Sequence, residues 1–196
     1  QVMQSRKTGK VKIFKKFTPD ATYNCRLSLM MMIDASSSME NNDPDKIVPN
    51  ACVNLFKAVK KARGESSIIT FHNFSKIVAM FNSVEVENYD LQSGTKAATS
   101  LEIIKKMLKY TKYYPLVIIF TDGRWQSGYD ELELVSSIVD TYVITYGKTA
   151  REEELLKTLP KANLFHLNSI DEFREVLSKI IDTTEEKIYK KIILRR

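Results

Sequence analysis

Two wholly apolar segments constrain the fold of this chain more than any other feature. The first, Leu29–Ile33, lies near the end of the predicted strand Tyr23–Asp34, and the second is Leu116–Phe120. A strand that is apolar on both faces is typical of the centre of a parallel sheet covered by helices. Each segment is followed closely by an acid, Asp34 in the first case and Asp122 in the second. We therefore predict two central parallel strands with a carboxylate at each carboxyl end.

The rest of the chain alternates between strand and helix patterns, which predicts a mostly parallel sheet with helices on both faces. The predicted helices are Asp45–Ala62, one beginning near Ala97, Asp130–Asp140, Arg151–Leu159 and one beginning at Ile170. The further predicted strands are Ser66–Phe71, Lys76–Phe81, Thr141–Tyr146 and Asn163–Leu167. The link 72–75 is too short for a parallel crossover, so the two strands beside it are predicted to form an antiparallel hairpin.

The 196 residues suit one α/β domain, and their net charge of +6 lies at the two ends. Residues 1–16 carry six basic groups and no acid, and residues 183–196 carry five basic and two acidic groups. We divide the chain into a basic N-terminal segment (1–22, a linker or the edge of a neighbouring domain), a domain (23–182) and a basic tail (183–196). The domain body is slightly acidic, which argues against nucleic acid as its partner. Nucleic-acid binding through the N-terminal segment stays an alternative.

The two cysteines predict buried thiols, because Cys25 at a strand start and Cys52 inside a helix suggest no disulfide framework. A reducing, cytoplasmic (intracellular) location is therefore expected. No apolar run approaches the length of a transmembrane helix, so no membrane segment is expected in this fragment.

Hydroxyl side chains follow the first apolar strand in the pattern Asp-x-Ser-x-Ser, formed by Asp34, Ser36 and Ser38. The carboxyl ends of parallel strands face a common crevice at the switch in strand order, so Asp122 is expected beside them. Oxygen ligands of this kind suit Mg²⁺, with Mn²⁺ as an alternative. Two carboxylates and a divalent cation leave a roughly neutral site with a position open for an anion.

A third hydroxyl is expected from Thr95, which lies just before a predicted helix. Gly94 allows the loop to turn there. Three other hydroxyls nearby are rivals for this role: Ser93, Thr99 and Ser100.

At these residues the chain resembles the von Willebrand factor type A (vWA) family. The metal-ion-dependent adhesion site (MIDAS) of that family is Asp-x-Ser-x-Ser, a distant Thr and an Asp in a Thr-Asp-Gly-like turn. The resemblance covers roughly residues 23–182 and departs from the pattern at Ser37, where many members have Gly. It implies a doubly wound, Rossmann-like sheet with one antiparallel edge strand. It also implies that the three hydroxyls bind the metal directly, and the two acids more often through water.

The resemblance implies a Mg²⁺-dependent protein–protein interaction module that is not an enzyme. A partner protein would place an Asp or Glu in the open coordination position. Intracellular relatives commonly work beside AAA+ ATPases of the MoxR or midasin type, and extracellular relatives bind matrix and adhesion partners. A metal-dependent phosphohydrolase is an alternative, but Ala35 and Ser36 stand where it would need a second acid.

A rim around the partner contact is expected from residues close to the two acids: Arg124, Trp125, Asn41, Asn42 and Asp43. Trp125, the single tryptophan, is predicted as an interface anchor. The alternative is an aromatic side chain partly buried under the loop.

Overall fold

The computed structural model describes residues 26–43, 45–147, 152–160 and 163–193. The predicted N-terminal segment and Cys25 lie outside these residues. Within them, no helix is long and apolar enough to cross a membrane.

Six strands form one sheet in the order β3-β2-β1-β4-β5-β6. The strands are β1 (Leu27–Asp34), β2 (Glu65–Phe71), β3 (Ser75–Ala79), β4 (Tyr114–Thr121), β5 (Asp140–Tyr146) and β6 (Leu164–Leu167). β1 pairs in parallel with β2 and with β4, and β3 is an antiparallel edge strand paired with β2. The predicted hairpin and the predicted central strands are confirmed. The strand order reverses direction between β1 and β4, which places the switch point between the two predicted acids.

Helices cover both faces of the sheet. They are α1 (Ser38–Asn42), α2 (Ile47–Lys61), α3 (Ala98–Met107), α4 (Tyr129–Ile138), α5 (Glu153–Thr158) and α6 (Ile170–Ile193). A short 3-10 helix, Leu108–Tyr110, follows α3. The five-residue helix α1 was not predicted, because Met39 is its single buried residue and so it has no apolar periodicity.

The two faces of β1 belong to two separate hydrophobic cores, which explains why the strand is apolar throughout. Leu29 and Met31 pack in the core that includes α2 and α6. Met30 and Met32 pack in the core that includes α3 and α4. Cys52 of α2 is a free, buried thiol in the first core, as predicted.

Helix α6 continues past the predicted start of the basic tail at residue 183. Thr184 is fully buried and Ile188 is 8% exposed. Lys187 Nζ donates a hydrogen bond to Asp140 Oδ1 at 2.7 Å, at the start of β5. Residues 183–190 of the predicted tail therefore pack against the domain.

Candidate metal centre

The turn after β1 gathers three of the predicted ligands. Asp34 ends the strand and is 1% exposed. Its Oδ1 accepts a hydrogen bond from the Ser36 backbone N–H (2.9 Å), and its Oδ2 accepts one from the Thr121 hydroxyl (2.7 Å). The Ser36 and Ser38 hydroxyl oxygens lie 2.9 Å apart. The structure thus brings two hydroxyls and one carboxylate into one short turn at the switch point.

The turn after β4 supplies the second carboxylate. Asp122 is fully buried, and its Oδ1 accepts a hydrogen bond from the Arg124 backbone N–H at 3.1 Å. Asn42 Nδ2 donates to Asp122 Oδ2 (3.3 Å) and to the Ser38 carbonyl (3.2 Å), so it links the two turns. Gly147 permits this approach: its φ is +105°, and a Cβ there would lie 2.4 Å from Asn42 Oδ1.

Thr95 lies beside the second turn and not in the first. Its hydroxyl donates to the Arg124 carbonyl, and its own carbonyl accepts from the Gln126 N–H at 2.9 Å. Gly94 has a φ of +88°, so the predicted turn before Thr95 is present. A hydroxyl that donates its proton to a carbonyl keeps its oxygen lone pairs for a cation.

The three rival hydroxyls are placed differently. Ser100 in α3 donates to the Ser75 hydroxyl at 2.7 Å, and Thr99 is exposed on the same helix. The exposed Ser93 hydroxyl accepts from Asn73 Nδ2 at 3.4 Å. Among these four candidates, Thr95 is the one whose side chain is bonded to the Asp122 turn.

The electrostatics of the site favour a cation. Burial raises the pKa of Asp34 from 3.8 to about 6, and the nearby Asp122 charge also raises it. Hydrogen bonds from Ser36 and Thr121 lower this pKa but only partly offset the burial. No basic side chain within the described residues contributes to the shift or forms a salt bridge with either acid. The carboxylates are therefore short of positive charge.

The donor set fits a hard divalent ion. It offers two carboxylates and three hydroxyls, all of them oxygen ligands of the kind that Mg²⁺ and Mn²⁺ prefer. The part of the chain that the structure describes contains no group of three or more His, Cys, Asp or Glu side chains suited to a metal. An ion at this edge would therefore depend on the hydroxyls as well as on the two acids.

Trp125 is a core residue, which corrects the expectation of an exposed interface anchor. Its side chain is 7% exposed, and its ring contacts Phe71 edge-on with the centroids 5.7 Å apart. The indole Nε1 donates to the Thr121 hydroxyl at 2.8 Å, and that hydroxyl donates to Asp34. The indole is buried under the turn because both its apolar face and its N–H find partners there. Trp125 thus supports the site from below.

Asp43 is also not a rim residue. It is 5% exposed, and its carboxylate accepts hydrogen bonds from the Ile47 N–H (2.7 Å) and the Val48 N–H (2.9 Å). These N–H groups belong to the first turn of α2, where donors lack partners within the helix. Asp43 therefore stabilises the start of α2. Of the other expected rim residues, Asn41 and Arg124 are exposed, while Asn42 is half-buried.

Sequence reasoning missed two contributors to the site. Thr121 holds Asp34 and accepts hydrogen bonds from Trp125 and from the Gly123 N–H (3.0 Å). A hydroxyl at the end of an otherwise apolar strand was the available signal. The backbone of Gln92 pairs with the first turn: its N–H donates to the Ala35 carbonyl at 2.9 Å. No sequence pattern marks such a backbone contact.

Comparison with known proteins gives structural neighbours only, since no family model and no curated protein matches the chain. A manganese-loaded Plasmodium vivax TRAP structure is 18% identical over 74% of this chain and 69% of its own, with a TM-score of 0.58. Mussel byssus proximal thread matrix protein 1 with a zinc-occupied MIDAS is 17% identical over 80% of this chain, with a TM-score of 0.65. Bacteroides thetaiotaomicron BatB is 11% identical over 82% of this chain and 99% of its own, with a TM-score of 0.60.

This chain aligns with only about half of the mussel protein, 46% of its length. The neighbours contain vWA domains, and their sheet and helices superpose on most of this chain. At these identities the likeness concerns the fold. The described part of the chain therefore has the vWA type of α/β fold.

Proposed function

We propose that this chain is a non-catalytic, Mg²⁺-dependent protein interaction module with a complete MIDAS. The proposed ligands are Asp34, Ser36, Ser38, Thr95 and Asp122. The observation that carries the proposal is the pair of buried carboxylates at the switch point, beside hydroxyls and without a basic partner among the described residues. Two structural neighbours, one loaded with manganese and one with zinc in a MIDAS motif, support a divalent ion as the ligand.

The neutral and the charged side chains would have different roles in binding the ion. The hydroxyls of Ser36, Ser38 and Thr95 would bind the ion directly, and the two acids would supply charge directly or through water. Asp34 is held by the Ser36 N–H and the Thr121 hydroxyl, so its carboxylate is fixed before an ion arrives. Preorganised ligands lower the cost of ordering on binding. When bound, the ion offers a coordination position to a hard anion.

The proposed partner is a protein that presents an Asp or Glu side chain. A carboxylate is a hard, anionic ligand and suits the ion's open position. Arg124 and Asn41 are exposed next to the two turns and would form the near rim of the contact. A AAA+ ATPase with an exposed acidic loop belongs to the class of partner proposed.

A minimal carboxylate tests this function without a known partner. We expect Mn²⁺ bound to the protein to enhance the relaxation of acetate methyl protons much more than that of acetamide, which has the same shape but no charge. Thr95→Val should weaken Mn²⁺ binding by at least about tenfold, because it removes one hydroxyl ligand at nearly constant volume. Thr95→Ser keeps the hydroxyl and serves as the matched control.

Two results would contradict the proposal. Equal enhancement for acetate and acetamide would show that no open position accepts a carboxylate. Turnover of a generic phosphate ester that depends on Mg²⁺ and is lost in Asp34→Ala would indicate a hydrolase instead.

A further inference from the structure

The edge of the sheet opposite the candidate metal centre carries a concentration of basic side chains. Helices α2 and α3 run antiparallel to the parallel strands, so their last turns lie at the amino ends of the strands. Lys60 and Lys61 are in the last turn of α2, and Lys105 and Lys106 are in the last turn of α3. We call this surface the basic end. Its members are Arg26, Lys57, Lys60, Lys61, Arg63, Lys105, Lys106, Lys109 and Lys112.

Hydrogen bonds join the two halves of the basic end across the sheet edge. Glu65 starts β2 and accepts from the Ser28 hydroxyl (2.7 Å) and from the Lys112 N–H (3.0 Å). The Tyr113 N–H donates to the same Ser28 hydroxyl at 3.2 Å, and Arg26 donates to the Tyr113 hydroxyl at 2.9 Å. The segments that follow α2 and α3 therefore meet at the start of β1.

Within the two chain segments that supply most of the basic end, acidic groups balance only a small part of the charge. Residues 57–65 contain four basic side chains and one acid, and residues 102–114 contain four and one. The two acids are Glu65, which lies 4.0 Å from Lys112, and Glu102, which lies 3.4 Å from Lys105. Lys61, Arg63, Lys106 and Lys109 are exposed. The opposite edge of the sheet holds the two buried acids of the candidate metal centre.

We propose that the basic end docks on an anionic lipid surface and leaves the metal centre facing away from it. Clustered lysines are attracted to anionic lipid by about 1 kcal/mol each. Tyr110 lies between Lys109 and Lys112 and is 75% exposed, and tyrosine is enriched at membrane–water interfaces. The chain enters β1 at this same end, so the sequence before Arg26, with six basic groups in 1–16, is joined to it.

The details favour lipid over single-stranded nucleic acid. A binder of single strands needs several exposed rings for base stacking. Here Tyr113 and Tyr114 are half-buried and hydrogen-bonded to Arg26 and Asp140, which leaves Tyr110 as the exposed ring of the segment. Seven of the nine cations are lysines, which act as point charges, and arginine is the residue that reads phosphate bidentately.

Vesicle co-sedimentation of the whole 196-residue chain tests the proposal, in EDTA so that no ion bridges the metal centre to lipid. We expect binding to phosphatidylcholine vesicles that contain phosphatidylserine, loss of binding at high salt, and none to phosphatidylcholine alone. Lys106→Glu with Lys109→Glu should weaken binding at least about thirtyfold, since two attractive charges are reversed. Lys76→Glu with Lys96→Glu is the matched control. It makes the same change in net charge at the edge that holds the candidate metal centre, and it should weaken binding much less.

Three outcomes would overturn the proposal. Equal weakening by the two double variants would mean that net charge alone matters. Full binding by Lys106→Glu with Lys109→Glu would assign the lipid contact to residues outside the basic end. The third outcome is that the chain binds a mixed-sequence single-stranded RNA but not the vesicles. If Lys106→Glu with Lys109→Glu also loses this RNA binding, the surface is a nucleic-acid site. The proposed function is unaffected by each of these, because the assay contains no free metal.

Discussion

The two edges of the sheet use polar residues in opposite ways. At the carboxyl edge, where the parallel strands end and the candidate metal centre lies, Asp34 and Trp125 are buried and both are hydrogen-bonded to Thr121. At the amino edge, where the parallel strands begin and the basic end lies, Lys61 and Lys106 are exposed to solvent. Buried polar groups are costly unless they are paired, and pairing fixes their geometry. Exposed charges keep their hydration and act over a distance. This difference suits the carboxyl edge to the proposed coordination of an ion, and the amino edge to the proposed attraction to an anionic surface.

The largest effect should come from the buried ring under the metal centre. Trp125→Ala removes a core aromatic residue and should lower the free energy of unfolding by about 3–5 kcal/mol. Trp125→Phe keeps most of the packing and loses the bond to Thr121, so about 1–2 kcal/mol is expected. Denaturant titration measures both. If Trp125→Ala lowers the free energy of unfolding by less than about 0.5 kcal/mol, Trp125 is not a core residue and the surface-anchor role is favoured instead.

Removing the second carboxylate should abolish the proposed ion site with the fold retained. For Asp122→Ala we expect Mg²⁺ and Mn²⁺ affinity to fall by at least about a hundredfold, measured by calorimetry, with native circular dichroism. The fold should persist because the two apolar cores do not depend on an ion. Asp140→Ala, which removes an acid from the amino edge, is the matched control. Equal affinity in Asp122→Ala and the parent chain would place any metal elsewhere.

The pH dependence of metal binding should report on Asp34, the other buried acid of the site. The pKa of Asp34 is raised to about 6, so in the metal-free protein this carboxyl holds a proton at lower pH. Mg²⁺ affinity should therefore fall by about tenfold for each pH unit below that value and stay level above it. The same shift means that metal-free protein loses stability as pH rises from 3.8 through about 6, because only the folded state still holds the proton. Affinity that is constant across this range would contradict the assignment.

Small effects are expected for single side chains of the amino edge. Lys187 bonds Asp140 and lies over the Tyr142 ring, 5.9 Å from its centroid. Lys187→Ala should cost at most about 1 kcal/mol, because the pair is partly exposed. Lys106→Ala should change stability by less than about 0.5 kcal/mol. Thermal unfolding in low and high salt measures both. A larger loss of stability in Lys106→Ala would contradict the view that exposed lysines of the amino edge contribute little to folding.

The sequence predicted the carboxyl edge well where burial and chain direction decide the outcome. Two apolar strands had to lie at the centre of the sheet, and Asp34 and Asp122 had to follow them. The alternation of strand and helix patterns also located α2 and α6, although the domain boundary predicted at residue 182 falls inside α6, which continues as one packed helix through Thr184 and Ile188.

Loop side chains were less predictable, because no periodicity reports which way they point. Trp125 lies three residues after Asp122, and Asp43 lies directly after Asn42. Both side chains point inward, where each is hydrogen-bonded to local partners. Helix α1 offers one apolar contact, through Met39, and so gives no repeating signal. The backbone bond from Gln92 to Ala35 depends on tertiary structure alone.

An anomalous difference map from crystals grown with Mn²⁺ would show directly whether the carboxyl edge binds a divalent ion. We expect one strong peak at the carboxyl edge, within coordination distance of the Ser36, Ser38 and Thr95 hydroxyls and beside Asp34 and Asp122, with a water or an anion in the open position. A peak elsewhere, or none at this edge in crystals that contain the ion, would contradict the account.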